Sequence, residues 1–449
     1  MTDPIPRSER ALSEHLGLRL TAFTALYAAQ GLPYGLLAVA VPAYMAERGF
    51  SAAAIGSFIG ITLLPWSLKL LNGPVMDRWS FLPMGRRRPW VLLAQAGMVL
   101  CSLAIALLPS PLDHLGWLTA VAFAINFFTA FQDVAVDGMA IEIIPLHEQA
   151  RANGFMWGGK TVGIAIATAG GAWMMDAYGV ETAFLAHAAL IGLVMLVPIF
   201  ARERPGERLL PWTAGQASET ARHLQLAGWH DIGRSLLRVF ILPASLVGAS
   251  AIFVHNLLRG LLNAALPVMA VQELGWSDTG YSELSATANL IAGVIGMAAG
   301  GALIDRLGHR RSIIAGAFVL ATASVAMALA PALWPVRATM YGYVSAYVVL
   351  DTLITIAFFA VLMAACWNRV GATQFSLYMA IANMGLSGGS ALLGPLRQWF
   401  GYSGLLFVAA AWSLIVAALL LFLDAERHRH RVKGLDVLDV SRHAAPVLT

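Results

Sequence analysis

Gly73-Pro74-Val75-Met76-Asp77-Arg78, followed by Gly85-Arg86-Arg87-Arg88, returns 228 positions downstream as Gly301-Ala302-Leu303-Ile304-Asp305-Arg306-Leu307-Gly308-His309-Arg310-Arg311. Each copy reads Gly-x-x-x-Asp-Arg and then a glycine with basic residues, and each closes an apolar stretch. Glycine lets helices approach closely, and Asp beside Arg makes charge-assisted contacts that lock a short loop and release it. The pair therefore marks equivalent hinges in two related halves. The copies differ in one respect: six extra residues, 79–84, separate Asp-Arg from the basic cluster in the first.

Around these hinges the chain is apolar. Of 449 residues, 58% are hydrophobic and 12% charged, with a mean hydropathy of +0.70. Soluble domains run near a quarter charged, so a soluble enzyme is disfavoured. Apolar stretches fall at 18–45, 51–72, 89–109, 116–144, 152–175, 181–200, 237–271, 281–304, 311–331, 337–366, 372–396 and 401–423, each long enough to cross a bilayer. The first follows a charged amino terminus and lacks a small-residue cleavage site, so it is expected to be a retained helix. The two cysteines, Cys101 and Cys366, lie far apart in apolar runs and suggest neither a disulfide framework nor a metal site.

The basic residues orient the helices. Of 29 Lys and Arg, 23 lie in the tails and in the loops after spans 2, 4, 6, 8 and 10, whereas only Arg48, Arg337 and Arg397 lie in the opposite loops. The positive-inside rule then places both termini in the cytoplasm, and a nucleic-acid role for the net charge of +4 loses its motive. Segment 202–236 is the long polar interruption near the midpoint, which divides the chain into halves 1–201 and 237–423 with a cytoplasmic tail 424–449. Within the linker, 221–237 is either an amphipathic helix on the inner membrane surface or a solvated tether.

Charges inside spans cost about 2.5–3.5 kcal/mol each and need partners or water. Span 4 aligns Asn126, Thr129, Asp133 and Asp137 along one helical face. Asp133 lies about 16 Å deep and Lys160 about 13 Å, so Asp133 or Asp137 can pair with Lys160, and Lys69 is a second possible partner. Such a pair is either a fixed neutralising bridge, a carboxylate that exchanges lysine for a proton during transport, or a direct solute contact. In span 1, Gln30-Gly-Leu-Pro-Tyr34-Gly predicts a kink beside two polar groups, serving packing or binding. In span 7, Asn256, Arg259 and Asn263 share a face. Arg259 either grips an anionic solute group in its fork or pairs with Asp351, and His255 reads as a core histidine before a proton relay.

The paired loop motif resembles that of the major facilitator superfamily, which carries it after helices 2 and 8. Three further stretches resemble the muropeptide permease and acetyl-CoA transporter branch: Gln30-Gly-Leu-Pro-Tyr-Gly35, Gln132-Asp133-Val-Ala-Val-Asp137-Gly-Met-Ala-Ile-Glu142, and Ala372-Thr373-Gln374-Phe375-Ser-Leu-Tyr378. The loop Gly85-Arg-Arg-Arg-Pro-Trp90 is similar as well. The resemblance implies proton-driven import of an anionic solute such as an anhydro-muropeptide by a monomer in the inner membrane. Muropeptide permeases often carry two helices beyond twelve, and none is expected after span 12 here; twelve-helix siderophore importers of the same branch supply the alternative solute.

The expected fold is an all-α membrane protein with twelve transmembrane helices in two six-helix halves, and the solute site lies near the midplane between them. Gln30, Tyr34, Asn126, Asp133, Arg259 and Asn263 are expected to line the cavity. Asp133, Asp137 and Lys160 are expected to form the coupling group, and Asp77, Arg78, Asp305 and Arg306 the inner gate. The expected partners are the anionic solute, protons and the lipid bilayer. No cofactor or metal is called for: Walker, His-Glu-x-x-His and Gly-x-Ser-x-Gly motifs are absent from the sequence. A membrane-embedded enzyme or a non-transporting sensor on the same scaffold are the alternatives of a different class.

Overall fold

The computed structural model describes residues 11–50, 52–225, 228–276 and 278–444. Among them the chain is almost wholly helical. Helices α1 (Leu16–Tyr34) and α2 (Val41–Glu47) are joined by a π-helical turn, Gly35–Ala40, so the expected kink after Pro33 takes the form of a widened turn in one continuous span. Helix α3 (Ala52–Leu68) passes through a 3₁₀ turn at Lys69–Leu71 into α4 (Asn72–Arg78). Then come α5 (Arg88–Ala106), α6 (Leu115–Ile143), α7 (Gln149–Tyr178) and α8 (Val180–Phe200). The linker contributes α9 (Glu219–Leu224) and α10 (Trp229–Phe240).

The second half repeats the scheme with α11 (Pro243–Val268), α12 (Asp278–Ile295), α13 (Gly301–Leu307), α14 (His309–Leu329), α15 (Arg337–Ala364), α16 (Gly371–Ala391) and α17 (Leu393–Leu421). A π turn, Gly296–Gly300, joins α12 to α13, and Gly401, at φ 62°, breaks α17 where the eleventh and twelfth spans were expected to part. Nine of these helical stretches are long and apolar enough to cross a membrane. The three other expected spans, 51–72, 152–175 and 372–396, also fall on helices, namely α3 with α4, α7, and α16 with the start of α17. Glycines and polar side chains, Lys160 among them, lower the hydropathy of α7, and glycines and polar residues that of α16, whereas α3 is apolar but only 17 residues long.

Helix α7 packs along α1 at backbone distance. A methyl group at Gly159 or Gly163 would strike the carbonyls of Thr24 and Ala28, and one at Gly31 would strike the carbonyl of Lys160. This interface sets the depth at which Lys160 enters the interior. The α10 helix buries Ile232 and Val239 against Trp367 and Val370 while Leu237 stays exposed, so this amphipathic helix of the linker rests its apolar face on the protein. The tail, read from sequence as a short charged extension, forms a further helix, α18 (Ala425–Ala444).

Candidate functional site

Ionisable side chains from four elements meet in the middle of the first half. The α6 face carries Asn126, Thr129, Asp133 and Asp137, all buried. Asp133 accepts a hydrogen bond from Lys69 Nζ at 3.0 Å, and Asp137 accepts one from the Tyr27 hydroxyl on α1. Asn126 accepts from the Trp66 indole at 3.0 Å. Lys160 makes no ion pair among the described residues; its ammonium lies 5.2 Å over the Trp66 ring and 5.4 Å over Trp157. Lys69, rather than Lys160, is thus the direct partner of Asp133. The 3₁₀ turn at Lys69–Leu71 produces this, because a tighter turn rotates the lysine toward α6.

Gln30 is fully buried and neither side-chain amide atom has a partner, which leaves two donors and two acceptor lone pairs unfilled in the interior. Tyr34, one turn on, is 42% exposed. Across the bundle, Arg259 Nε donates to Asp351 at 3.0 Å and Nη1 donates to Asn256 Oδ1 at 3.0 Å. His255 Nε2 lies 3.3 Å from the other Asp351 oxygen, its ring stacked on Phe358. Asn263 accepts from the Tyr347 hydroxyl at 2.8 Å. The six residues expected to line one cavity therefore fall into two groups. Gln30, Tyr34, Asn126 and Asp133 belong to the first half, and Arg259 with Asn263 to the second.

The loop copies close one end of the bundle, the end at which the described chain begins and at which α18 lies. Asp77 is fully buried. One of its oxygens accepts from the Thr373 amide at 3.0 Å and the Thr373 hydroxyl at 2.6 Å, joining the halves; the other accepts from Arg86 at 3.2 Å and from Arg87. Glu142 accepts from Arg86 at 2.9 Å and Arg87 at 2.8 Å, while Arg86 also donates to the carbonyls of Asn368 and Arg369, each at 2.8 Å. The six-residue insertion turns the chain so that the amides of Arg86 and Arg87, at the start of α5, point at the Glu203 carboxylate, 2.9 and 2.7 Å away. In the second copy, Asp305 accepts from the Arg151 amide at 3.2 Å and lies 3.2 Å from His309 Nε2.

Of the four expected gate residues, Asp77 and Asp305 bridge the halves. Arg78 instead stacks against Trp79 and Trp229, at 5.2 and 5.0 Å, and Arg306 is exposed beside a cavity. Tyr27, Trp66, Glu142, Thr373 and Arg151 had no role assigned from the sequence, and Arg86 and Arg87 only that of the basic cluster of the first loop motif. Glu142 and Thr373 stood in motifs singled out for resemblance, and their charge and hydroxyl at span ends were the available signal.

A bundle of membrane-length helices with balanced charges at its centre and a locked seam at one end defines a multi-pass carrier. The model of the Major Facilitator Superfamily matches residues 23–375 and 249–444, and the chain belongs to that superfamily. The chain is 26% identical over 380 residues to the anhydromuropeptide permease of Escherichia coli (strain K12), covering 83% of this chain and 72% of that one. In fold it is similar to the E. coli fucose:proton symporter, with a TM-score of 0.66 at 12% identity over 90% of this chain and 98% of that one. It is likewise similar to the human organic anion transporter MFSD10, with a TM-score of 0.64 at 12% identity over 90% and 99%. These relatives are transporters, and the chain is a transporter rather than an enzyme.

Proposed function

We propose that the chain imports an anionic solute, an anhydro-muropeptide, across the cytoplasmic membrane by proton-coupled alternating access, with both termini in the cytoplasm. One observation carries the coupling: Asp133 and Asp137 sit buried among Lys69 and Lys160, two negative charges against two positive. With both carboxylates ionised the group is neutral. A proton on either leaves one ammonium uncompensated where desolvation magnifies every charge, and an anion entering beside it restores neutrality. Proton and anion therefore favour each other's binding, as symport requires.

The unpartnered amide of Gln30 offers donors and acceptors to a solute rich in amides and hydroxyls. Arg259 serves an anionic group by exchanging Asp351 for the solute. Asp77 and Asp305, held across the seam, form the cytoplasmic gate, which is closed in this conformation. The identity of the solute follows the E. coli relative and the shared motifs.

Uptake into proteoliposomes under an inward proton gradient tests the proposal, with a labelled anhydro-muropeptide compared against a ferric siderophore. Uncoupler-sensitive accumulation of the muropeptide is expected. Accumulation of the siderophore alone would transfer the mechanism to that solute, and transport of neither would refute both.

A further inference from the structure

Between the second gate loop and the tail helix lies a cavity of about 630 Å³, apart from the central charges. Arg306 and Arg311 enter it from the loop, Arg429 from α18 and His147 from the loop between α6 and α7. Asp305 is the acid among its described lining residues, and its carboxylate is already held by the Arg151 amide and His309. Arg306, Arg311 and Arg429 make no ion pair among the described residues. Concentrated positive charge of this kind, with its donors unspent, attracts an anion.

The lining is built rather than incidental. His428 is 3% exposed, donates from Nε2 to the Ala365 carbonyl at 2.9 Å, and leaves its buried Nδ1 without a partner on the cavity wall. That contact pins α18 against the end of α15, and Arg429, the next residue, lines the same cavity as Arg311. On the loop side, Arg310 donates to the carbonyls of Leu421 and Leu423 at 2.9 and 3.2 Å, anchoring the loop to the end of α17. Leu421 and Phe422 beside it are 61% and 76% exposed, as expected of side chains meeting lipid at the edge of the membrane.

We propose that this cavity binds a phosphate-bearing anion, clamped between Arg306 and Arg311 of the gate loop and Arg429 of the tail helix. The phosphate belongs either to an anionic lipid headgroup or to a soluble phosphate, and guanidinium forks suit both. Occupancy ties the tail to the gate loop and holds the closed seam. This goes beyond solute transport and stands without it, because binding is measured with no gradient and no solute.

The test uses the purified full chain in detergent, with native mass spectrometry and thermal unfolding. The probes are phosphatidylglycerol, phosphatidylcholine and inorganic phosphate. The wild type should retain phosphatidylglycerol or phosphate and be stabilised by it, whereas the double variant R311Q/R429Q should bind at least tenfold more weakly. R234Q, a basic residue of the linker outside the cavity, reports on diffuse charge and should bind as the wild type does. Retention of phosphatidylglycerol without phosphate assigns the site to lipid, and retention of phosphate alone assigns it to a soluble ligand. Equal binding by wild type and double variant, equal loss in R234Q, or preference for phosphatidylcholine would overturn the proposal. The unliganded unfolding midpoints establish that the variants are folded.

Discussion

Asp133 and Asp137 sit one turn apart on α6 yet have different partners, an ammonium for the first and a phenol for the second. Neutralising Asp133 leaves Lys69 buried without its counter-charge and removes a proton acceptor from the proposed coupling group. Asp133→Asn should therefore reduce gradient-driven uptake to the level of empty vesicles while the protein stays folded; full uptake by the variant would exclude Asp133 from coupling. Truncating Arg259 abandons Asp351 in the interior, so Arg259→Ala should weaken binding of an anionic solute by about 2–5 kcal/mol and of a neutral analogue far less. Equal losses would make the arginine a packing residue.

The linker supplies a titration of its own. Burial, reinforced by neighbouring Glu203, pushes the Glu207 carboxyl from 4.5 up to about 8. The folded protein then holds this proton more tightly than the unfolded chain. The stability it contributes is complete below 4.5 and is lost as pH rises toward about 8. Glu207→Gln should flatten the pH dependence of the unfolding midpoint across that window, and an unchanged slope would assign it to other groups.

At the scale of elements, α1 and α7 meet through glycine on both sides. Gly163→Leu places a branched side chain against the Ala28 carbonyl and should cost about 1–3 kcal/mol of stability, read as a lowered unfolding midpoint in detergent; an unchanged midpoint would mean the helices separate freely. The polar stripe of α6 was legible because a regular helix turns spacing directly into a common face. The partner of Asp133 was open between Lys160 and Lys69, since a local 3₁₀ turn leaves no clear periodic trace and decides the direction of the lysine. Likewise the insertion at 79–84 was visible as a departure. Its consequence, the backbone amides of Arg86, Arg87 and Arg88 aimed at Glu203, was hidden because Glu203 lies more than a hundred positions away. The tail read as a short charged extension, and its helix is held by the buried His428 and by Val432 and Leu435 packed against the linker cluster.

At the scale of the whole molecule, the internal repeat revealed two related hinges, but only packing shows which residues cross between the halves. Asp77 reaches Thr373, and Asp305 reaches the amide of Arg151. Asp77→Asn removes a charge that two buried arginines share and should shift the population toward opening at the end the two loop copies close. Buried Cys366, close to that seam, is a native reporter. In a Cys101→Ser background its labelling by maleimide should quicken several-fold with Asp77→Asn, and an unchanged rate would remove Asp77 from the gate. In the proposed mechanism, linkage of this gate to the central charges is what separates a coupled carrier from a pore.

That coupling is most directly tested by following internal pH in sealed proteoliposomes that start with no proton gradient. Adding anhydro-muropeptide outside should draw protons inward and acidify the interior, and Asp133→Asn should abolish the signal. Entry of the solute with no change of internal pH would contradict proton coupling by the Asp133 cluster.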